Sequence, residues 1–258
     1  MEIRSVTKAV RVLDALAETE TPQGVTDLAR ITELDKSSVS RLLRTLVSAG
    51  YVRQDPVTKS YELGLALLHL GQKVLKKVNI RSLSQESLRV LSSESGECSH
   101  IAILVNNCAL YIDQVAPSKG ASIDSPVGTL SPLHCSSLGK VLFSFQDKAK
   151  KMALLKTITF EPFTRRTITD PSTYLLEIQK VIKNKIAYDD EEYSIGVKCM
   201  AAPVFRHDGT VVAAIGISAP SPRVTDDKLR EWSSLLKIEA EKLSEKMGWV
   251  KGVECIVD

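Results

Sequence analysis

Residues 25–49 read VTDLARITELDKSSVSRLLRTLVSA. They divide into two helices joined by a short turn over about Ile31 to Asp35. The first helix puts Val25, Leu28 and Ala29 on one side. The second carries Val39, Leu42, Leu43, Leu46 and Val47, spaced i, i+3, i+4, i+7, i+8. That spacing makes one apolar stripe on a 3.6-residue period. The opposite face holds Lys36, Ser37, Ser38, Ser40, Arg41 and Arg44, with no acid among them. The apolar side suits docking on a small core, and the basic, hydroxyl-rich side suits phosphates and base edges. A basic helix face is usually just a solvated one, so the neighbouring residues have to decide.

Gly50 ends the second helix as a C-cap. Tyr51 to Leu63 (YVRQDPVTKSYEL) then alternates apolar and polar residues around a Pro turn, the pattern of a hairpin. Arg53 and Lys59 flank that turn. Upstream, Val6, Val10, Leu13 and Leu16, with Ala9 and Ala17, predict a first amphipathic helix. Ser5 or Thr7 is its expected cap, and it ends near Thr19. Arg4, just ahead of it, is placed to lie along a duplex or is merely a free terminus. Thr21-Pro22-Gln23-Gly24 is turn chemistry. Three helices closed by a basic two-stranded wing make a winged helix-turn-helix, whose wing reaches phosphates beside the groove that the second helix enters.

At 258 residues the chain has room for two domains. A hydrophobic fraction of 43% and a charged fraction of 25% are those of an ordinary soluble protein. The net charge is only +3, but its placement is informative. Through Val78 there are twelve Lys/Arg against nine Asp/Glu, leaving twenty-two of each in the remainder. The whole excess therefore sits where nucleic acid would bind. Five cysteines, an odd number with irregular spacing, do not make a disulfide framework and point to a reducing compartment. The N-terminus lacks the uncharged run of a signal peptide, and no stretch approaches the roughly 20 apolar residues of a membrane span. A cytoplasmic protein with no membrane partner is expected.

Leu63 to Val78 (LGLALLHLGQKVLKKV) is long, apolar and basic at its end. As a lone exposed helix it would waste its leucines. Pairing with a second copy is the expected use, with Leu65, Leu68 and Leu75 buried against that copy or against the domain above. His69 reads as a packed or surface residue. Ile80 to Gly96 is a helix burying Leu83, Leu88 and Leu91. Two strands follow around a turn at Asn106-Asn107. Ser122 to Leu133 reads as an extended loop, then come helices over Ser136 to Phe145, Asp147 to Ile158 and Pro171 to Lys185. Ala187 to Ser194 reads as a loop holding four consecutive acids. Val197 to Phe205 and Val211 to Ser218 are strands joined at His207-Asp208-Gly209, and Thr225 caps a terminal helix to Met247. Hairpin strands with helices segregated around them argue an α+β fold rather than a parallel sheet.

Residues 35–71 (DKSSVSRLLRTLVSAGYVRQDPVTKSYELGLALLHLG), 133–145 (LHCSSLGKVLFSF) and 187–220 (AYDDEEYSIGVKCMAAPVFRHDGTVVAAIGISAP) resemble the IclR family of bacterial transcription regulators. The motifs fall in the family's order, and the likeness spans about Ser5 to Gly248. It implies a winged helix-turn-helix over 1–63, a linker helix over 64–78 and a GAF-like effector-binding domain over 79–258. That last domain would carry an antiparallel sheet with a ligand pocket over one face. It further implies a homodimer, with a dimer of dimers as a common next assembly. The DNA-facing set is then Lys36, Ser37, Ser38, Ser40, Arg41, Arg44, Arg53 and Lys59. The expected function is a sequence-specific regulator of a double-stranded operator. Repression is the leading sense, with activation left open, and a small-molecule effector controls it.

Several residues invite chemistry. The run Asp189 to Glu192 is ordinarily a solvated loop; the resemblance places only its first acid, Asp189, near the effector. Cys199 is either a small buried hydrophobe or, by resemblance, part of the pocket wall, with Ser218 on the facing strand. The family often has a second Ser two residues earlier; here Gly216 stands there, so one polar contact is expected to be missing. The helix start at Ser136 and Ser137 favours an anion through its free N–H groups, unless Ser136 merely caps its own helix. Ile123, Ile195 and Met200 are expected as apolar walls. Together these describe a pocket for a small hydroxylated organic acid such as a sugar acid, with an aromatic acid also possible. His134 and Cys135 suggest a base and nucleophile, but adjacent residues seldom converge and no orienting group is visible. Cys98, His100, His134 and Cys135 lack structural-zinc spacing. No phosphate loop, dinucleotide fingerprint or hydrolase elbow occurs. No catalytic residue, metal or cofactor is expected. The competing class is an enzyme acting on a small acid, with the winged helix as a targeting module.

Overall fold

The computed structural model describes residues 3–77, 79–117, 123 and 125–250, without the side chains of residues 72, 74–77 and 79. The chain divides into two compact units, Met1–Val78 and Asn79–Asp258.

In the first unit α1 (Arg4–Ala17), α2 (Val25–Thr32) and α3 (Lys36–Ser48) pack against one another. Val12, Leu28, Val39 and Leu43 are fully buried at their centre. Removing such a side chain from water contributes roughly 1.5–3 kcal/mol, so these four dominate the small core. The stripe on α3 is narrower than its spacing suggests: Leu42 is half-buried and Val47 lies on the exposed rim. α1 also departs from expectation. Its N-cap is Ile3, with no side-chain hydrogen bond, and Ser5 and Thr7 lie inside the helix. The reversal between α2 and α3 runs through Glu33 in the left-handed region (φ 54°). Asp35 then caps α3, accepting the Ser38 N–H at 2.8 Å and the Ser37 hydroxyl at 2.6 Å. Those hydrogen bonds hold its carboxyl well below the usual carboxylate range.

β1 (Val52–Gln54) and β2 (Tyr61–Leu63) form the wing, antiparallel with Arg53 opposite Glu62. Asp55 folds the turn by accepting the N–H groups of Val57 and Thr58 at 2.7 and 2.8 Å. Tyr61 exchanges two backbone bonds with Gln23, which ties the wing to the α1–α2 connection. α4 (Leu65–Lys77) follows, leaving Leu65 82% and Leu68 60% exposed within one chain. The side chain of Leu75 lies outside the described residues.

The second unit is built on a sheet of order β5-β4-β3-β8-β7-β6, antiparallel throughout. Its strands are β3 (Cys98–Val105), β4 (Cys108–Val115), β5 (Leu130–Pro132), β6 (Ala187–Asp190), β7 (Val197–Phe205) and β8 (Val211–Pro220). Asn106 and Asn107, both at positive φ, make the tight β3–β4 turn that their side chains predict. Two elements differ from expectation. Residues 130–132 are an edge strand inside what reads as loop, and the acid run begins on edge strand β6. Both are too short for a sequence period to register.

α5 (Asn79–Ser95) and α9 (Asp226–Lys246) cover one face of the sheet. Leu88 and Leu91 of α5 are fully buried, whereas Leu83 is only half-buried, its place inside taken by Ile80 and Ser84. α6 (Ser137–Ser144) lies on the other face, buried along its whole length, with α7 (Lys148–Leu155) and α8 (Pro171–Asn184) around it. Close packing of α6 requires two glycines. A Cβ on Gly139 would stand 2.4 Å from the Pro132 carbonyl oxygen, and one on Gly216 would stand 2.7 Å from that of Met200. An added Cβ at Gly216 would also stand 3.3 Å from Leu138 Cδ2 of α6, so packing constrains this position.

Candidate functional site

Two surfaces carry chemistry, one in each unit. In the first, Lys36, Ser37, Arg41 and Arg44 are exposed along α3, with Ser38 and Ser40 half-buried beside them. The ion pairs among the described residues of this unit are Arg30–Asp27 and Arg53–Glu62. Lys36, Arg41 and Arg44 take part in neither, so their charge is free for an outside partner. Arg53 is committed across the wing to Glu62, which leaves Lys59, at the turn, as the wing's unpaired cation. The Ser37 proton points back to Asp35.

In the second unit a cavity of about 280 Å³ opens over the α6 face of the sheet. Ile123, Ser136, Ser137, Asp189, Cys199 and Ser218 all line it, brought together from four parts of the chain. Ile195 does not: it is 78% exposed and stands outside. Met200 does not either, because neighbouring residues on a strand face opposite sides and Cys199 takes the cavity side. The walls are also not apolar. Nine of the thirteen lining residues bear a hydroxyl, including Tyr111, Thr129, Ser131 and Tyr193, which sequence reasoning had not singled out. No Lys, Arg or His lines the cavity among the described residues.

Ser136 is spent locally. Its hydroxyl donates to the Pro132 carbonyl at 2.6 Å, accepts the Gly139 N–H at 3.1 Å and receives the Ser131 hydroxyl at 3.1 Å. It is the cap of α6, and the N–H groups of Ser137 and Leu138 in that first turn are left without intrahelical partners. Across the cavity Asp189 accepts the N–H of Glu192 at 2.7 Å and of Tyr193 at 3.3 Å. Burial outweighs those bonds and pushes its carboxyl up to about 7. Ser218 donates to Cys199 Sγ at 2.9 Å and meets His100 Nε2 at 3.0 Å. Burial lowers His100 to about 4, so the imidazole is neutral, and it lies 5.2 Å from the Tyr111 ring. Burial pushes the Cys199 thiol up, making it an inert wall.

Beneath this wall lies a buried ion pair that the sequence does not announce. Lys140 Nζ, wholly buried, donates to Glu192 Oε1 at 2.5 Å and to the Tyr188 carbonyl at 2.8 Å. The Thr167 hydroxyl donates to the Glu192 carbonyl at 2.6 Å and that of Thr164 to the Glu191 carbonyl at 2.7 Å. Together they clamp the segment that presents Asp189 and Tyr193. The signal was the lysine closing LHCSSLGK, one turn inside a helix with no other charged residue.

The enzyme and zinc alternatives lose their geometry. Burial pushes the Cys135 thiol up, and His134 bonds the Glu161 carbonyl at 3.0 Å instead of a nucleophile. Among the described residues no three His, Cys, Asp or Glu side chains gather as metal ligands, the two Cys/His pairs included. Among the described residues no helix is long and apolar enough to cross a membrane.

Comparison with known proteins agrees with this geometry. The IclR helix-turn-helix domain matches residues 5–56, and the bacterial transcriptional regulator IclR C-terminal domain matches residues 72–245. The HTH-type transcriptional regulator KdgR of Escherichia coli is 32% identical over 247 residues, covering 96% of this chain and 94% of that protein. The transcriptional repressor IclR of Escherichia coli is 28% identical over 252 residues, covering 97% and 92%. An IclR homolog from Microbacterium hydrocarbonoxydans, solved in complex with 4-hydroxybenzoate, shares the fold with a TM-score of 0.72 at 20% identity, over 92% of this chain and 99% of that one. These relatives are named as regulators or repressors, not enzymes. With both of its units matched, the chain belongs to the IclR family of bacterial DNA-binding transcriptional regulators.

Proposed function

We propose that this regulator is a repressor that grips its operator as a homodimer and responds to a small hydroxylated organic acid, of the sugar-acid kind. The observation that carries the effector class is the cavity: hydroxyls on nearly every wall, no cationic side chain among the described residues, and N–H groups without intrahelical partners at the start of α6. Such a site holds a carboxylate by backbone donors and a polyol chain by paired hydroxyls. The 4-hydroxybenzoate complex of the Microbacterium homolog supports a small acid in this fold and keeps an aromatic acid as the second reading. Repression is supported by the name of the Escherichia coli relative. Titration calorimetry with a panel of sugar acids, aromatic acids and their uncharged amides tests the class. Acids are expected to bind and amides to fail; equal binding of both removes the anion argument.

On DNA, Lys36, Ser37, Ser38, Ser40, Arg41 and Arg44 enter the major groove while Lys59 and Arg53 meet the backbone beside it. Arg41→Ala and Arg44→Ala are each expected to cost roughly 1–3 kcal/mol of operator affinity where the arginine reads a guanine. Unchanged affinity in both at fixed salt would show that α3 is not the reading helix. One such helix covers only a few base pairs, so two copies are needed. The exposed leucines of α4 supply the contact: Leu65 and Leu68 are apolar surface that a second α4 covers. Leu68→Glu should lower the mass seen in sedimentation, and a monomeric parent protein would sink the idea.

A further inference from the structure

A groove beside α3 gathers positive charge that the DNA-facing set leaves unexplained. Arg4 and Lys8 stand four residues apart on α1, which puts them on one side of that helix. Ser38, Arg41, Leu42 and Thr45 of α3, spaced i, i+3, i+4, i+7, form the facing wall. With Ser5 they enclose a concavity of about 380 Å³. No carboxylate lines it among the described residues, and Arg4, Lys8 and Arg41 are absent from both ion pairs of this unit. Three like charges converging on one hollow repel one another, and each costs less when an anion sits between them. Two of the wall residues, Ser38 and Arg41, also belong to the surface that enters the major groove. An anion held here is therefore continuous with the duplex.

We infer that this notch is a binding site for a backbone phosphodiester of the operator, and that α1 is part of the DNA interface. The inference rests on the DNA-binding role of α3 given above and adds Arg4, Lys8 and Ser5 to it. Contacts to a phosphate orient the protein without reading sequence. The notch thus fixes the angle at which α3 enters the groove, and its contribution falls equally on every duplex.

The test uses the full-length chain carrying Arg4→Ala and Lys8→Ala together. Affinity is measured over a salt series against two duplexes of one length, one selected from a random pool by the unmodified protein and one of random sequence. The double variant is expected to lose affinity for both by the same factor. The slope of log affinity against log salt should become shallower by about 0.9 for the one phosphate no longer held. Affinities and slopes equal to those of the unmodified chain overturn the notch. So does a loss confined to the selected duplex with the slope unchanged, because Arg4 and Lys8 would then be reading bases. The α3 reading fails separately, if the unmodified chain shows no salt-dependent binding to either duplex. Both substituted side chains lie at the surface of α1, and an unchanged thermal midpoint verifies that the variant is folded.

Discussion

Lys140→Met is expected to destabilise the C-terminal unit by about 3–5 kcal/mol near pH 8, the usual consequence of leaving one buried charge without its partner. The lysine side chain is wholly buried and the Glu192 side chain nearly so. Methionine matches the volume but removes the cation, so Glu192 is stranded. Its carboxyl is already raised by burial, with Lys140 opposing the rise, and the substitution removes that opposition. The sign follows. A carboxyl whose folded value is raised binds its proton more tightly when folded. The stability associated with it is present at low pH and lost as pH rises through the folded value. The deficit of the variant is therefore largest at pH 8 and shrinks as pH falls toward the ordinary glutamate range. Urea melts of both proteins at several pH values measure it. Adding Glu192→Gln to the variant should restore most of the loss, since the stranded Glu192 charge is then gone. A deficit independent of pH and unrelieved by the second change would reduce Lys140 to a packing residue.

Effector affinity should fall by about tenfold per pH unit above pH 7 if the effector is an acid. Asp189 has a carboxyl near 7 and faces the cavity that the proposed effector carboxylate would enter. Two negative charges in one partly desolvated cavity repel, so the complex prefers Asp189 protonated. Free organic acids ionise near pH 4, so their own titration is over in this range. Binding then takes up a proton, and the affinity is full below pH 7 and declines above it. Asp189→Asn keeps an oxygen for the Glu192 and Tyr193 N–H groups but carries no charge. It should abolish the dependence and bind acids at pH 8.5 at least as tightly as the parent does at pH 6. Calorimetry in buffers of different ionisation enthalpy counts the protons. An affinity that rises with pH would mean that the ionised Asp189 accepts effector hydroxyls, and the polarity of the site would have to be reversed.

Much of this molecule was readable as a string because its decisive patterns are local. The α3 stripe, the Pro56 turn of the wing and the Asn106-Asn107 turn each act within a few residues, where periodicity and turn chemistry are strong. The exposed basic residues of α3 and of the wing follow from the same local runs, and their contact with DNA is the proposal made above. The winged helix, the antiparallel sheet of the second unit and the family itself followed from such runs and their order.

What the string did not determine are relations between distant residues. Ile195 and Met200 were assigned to the cavity by nearness in sequence to Asp189 and Cys199. A strand turns successive side chains to opposite faces, and a loop tip turns them to solvent. The partner of Lys140 is fifty-two residues away, and neither residue type signals a buried pair until α6 is laid on the sheet. The raised carboxyl of Asp189 is likewise a property of burial, not of the acid run that contains it. Local chemistry set the elements and the exposed basic face of α3; packing decided which side chains lose water, and with that the charge, the partners and the shape of the cavity.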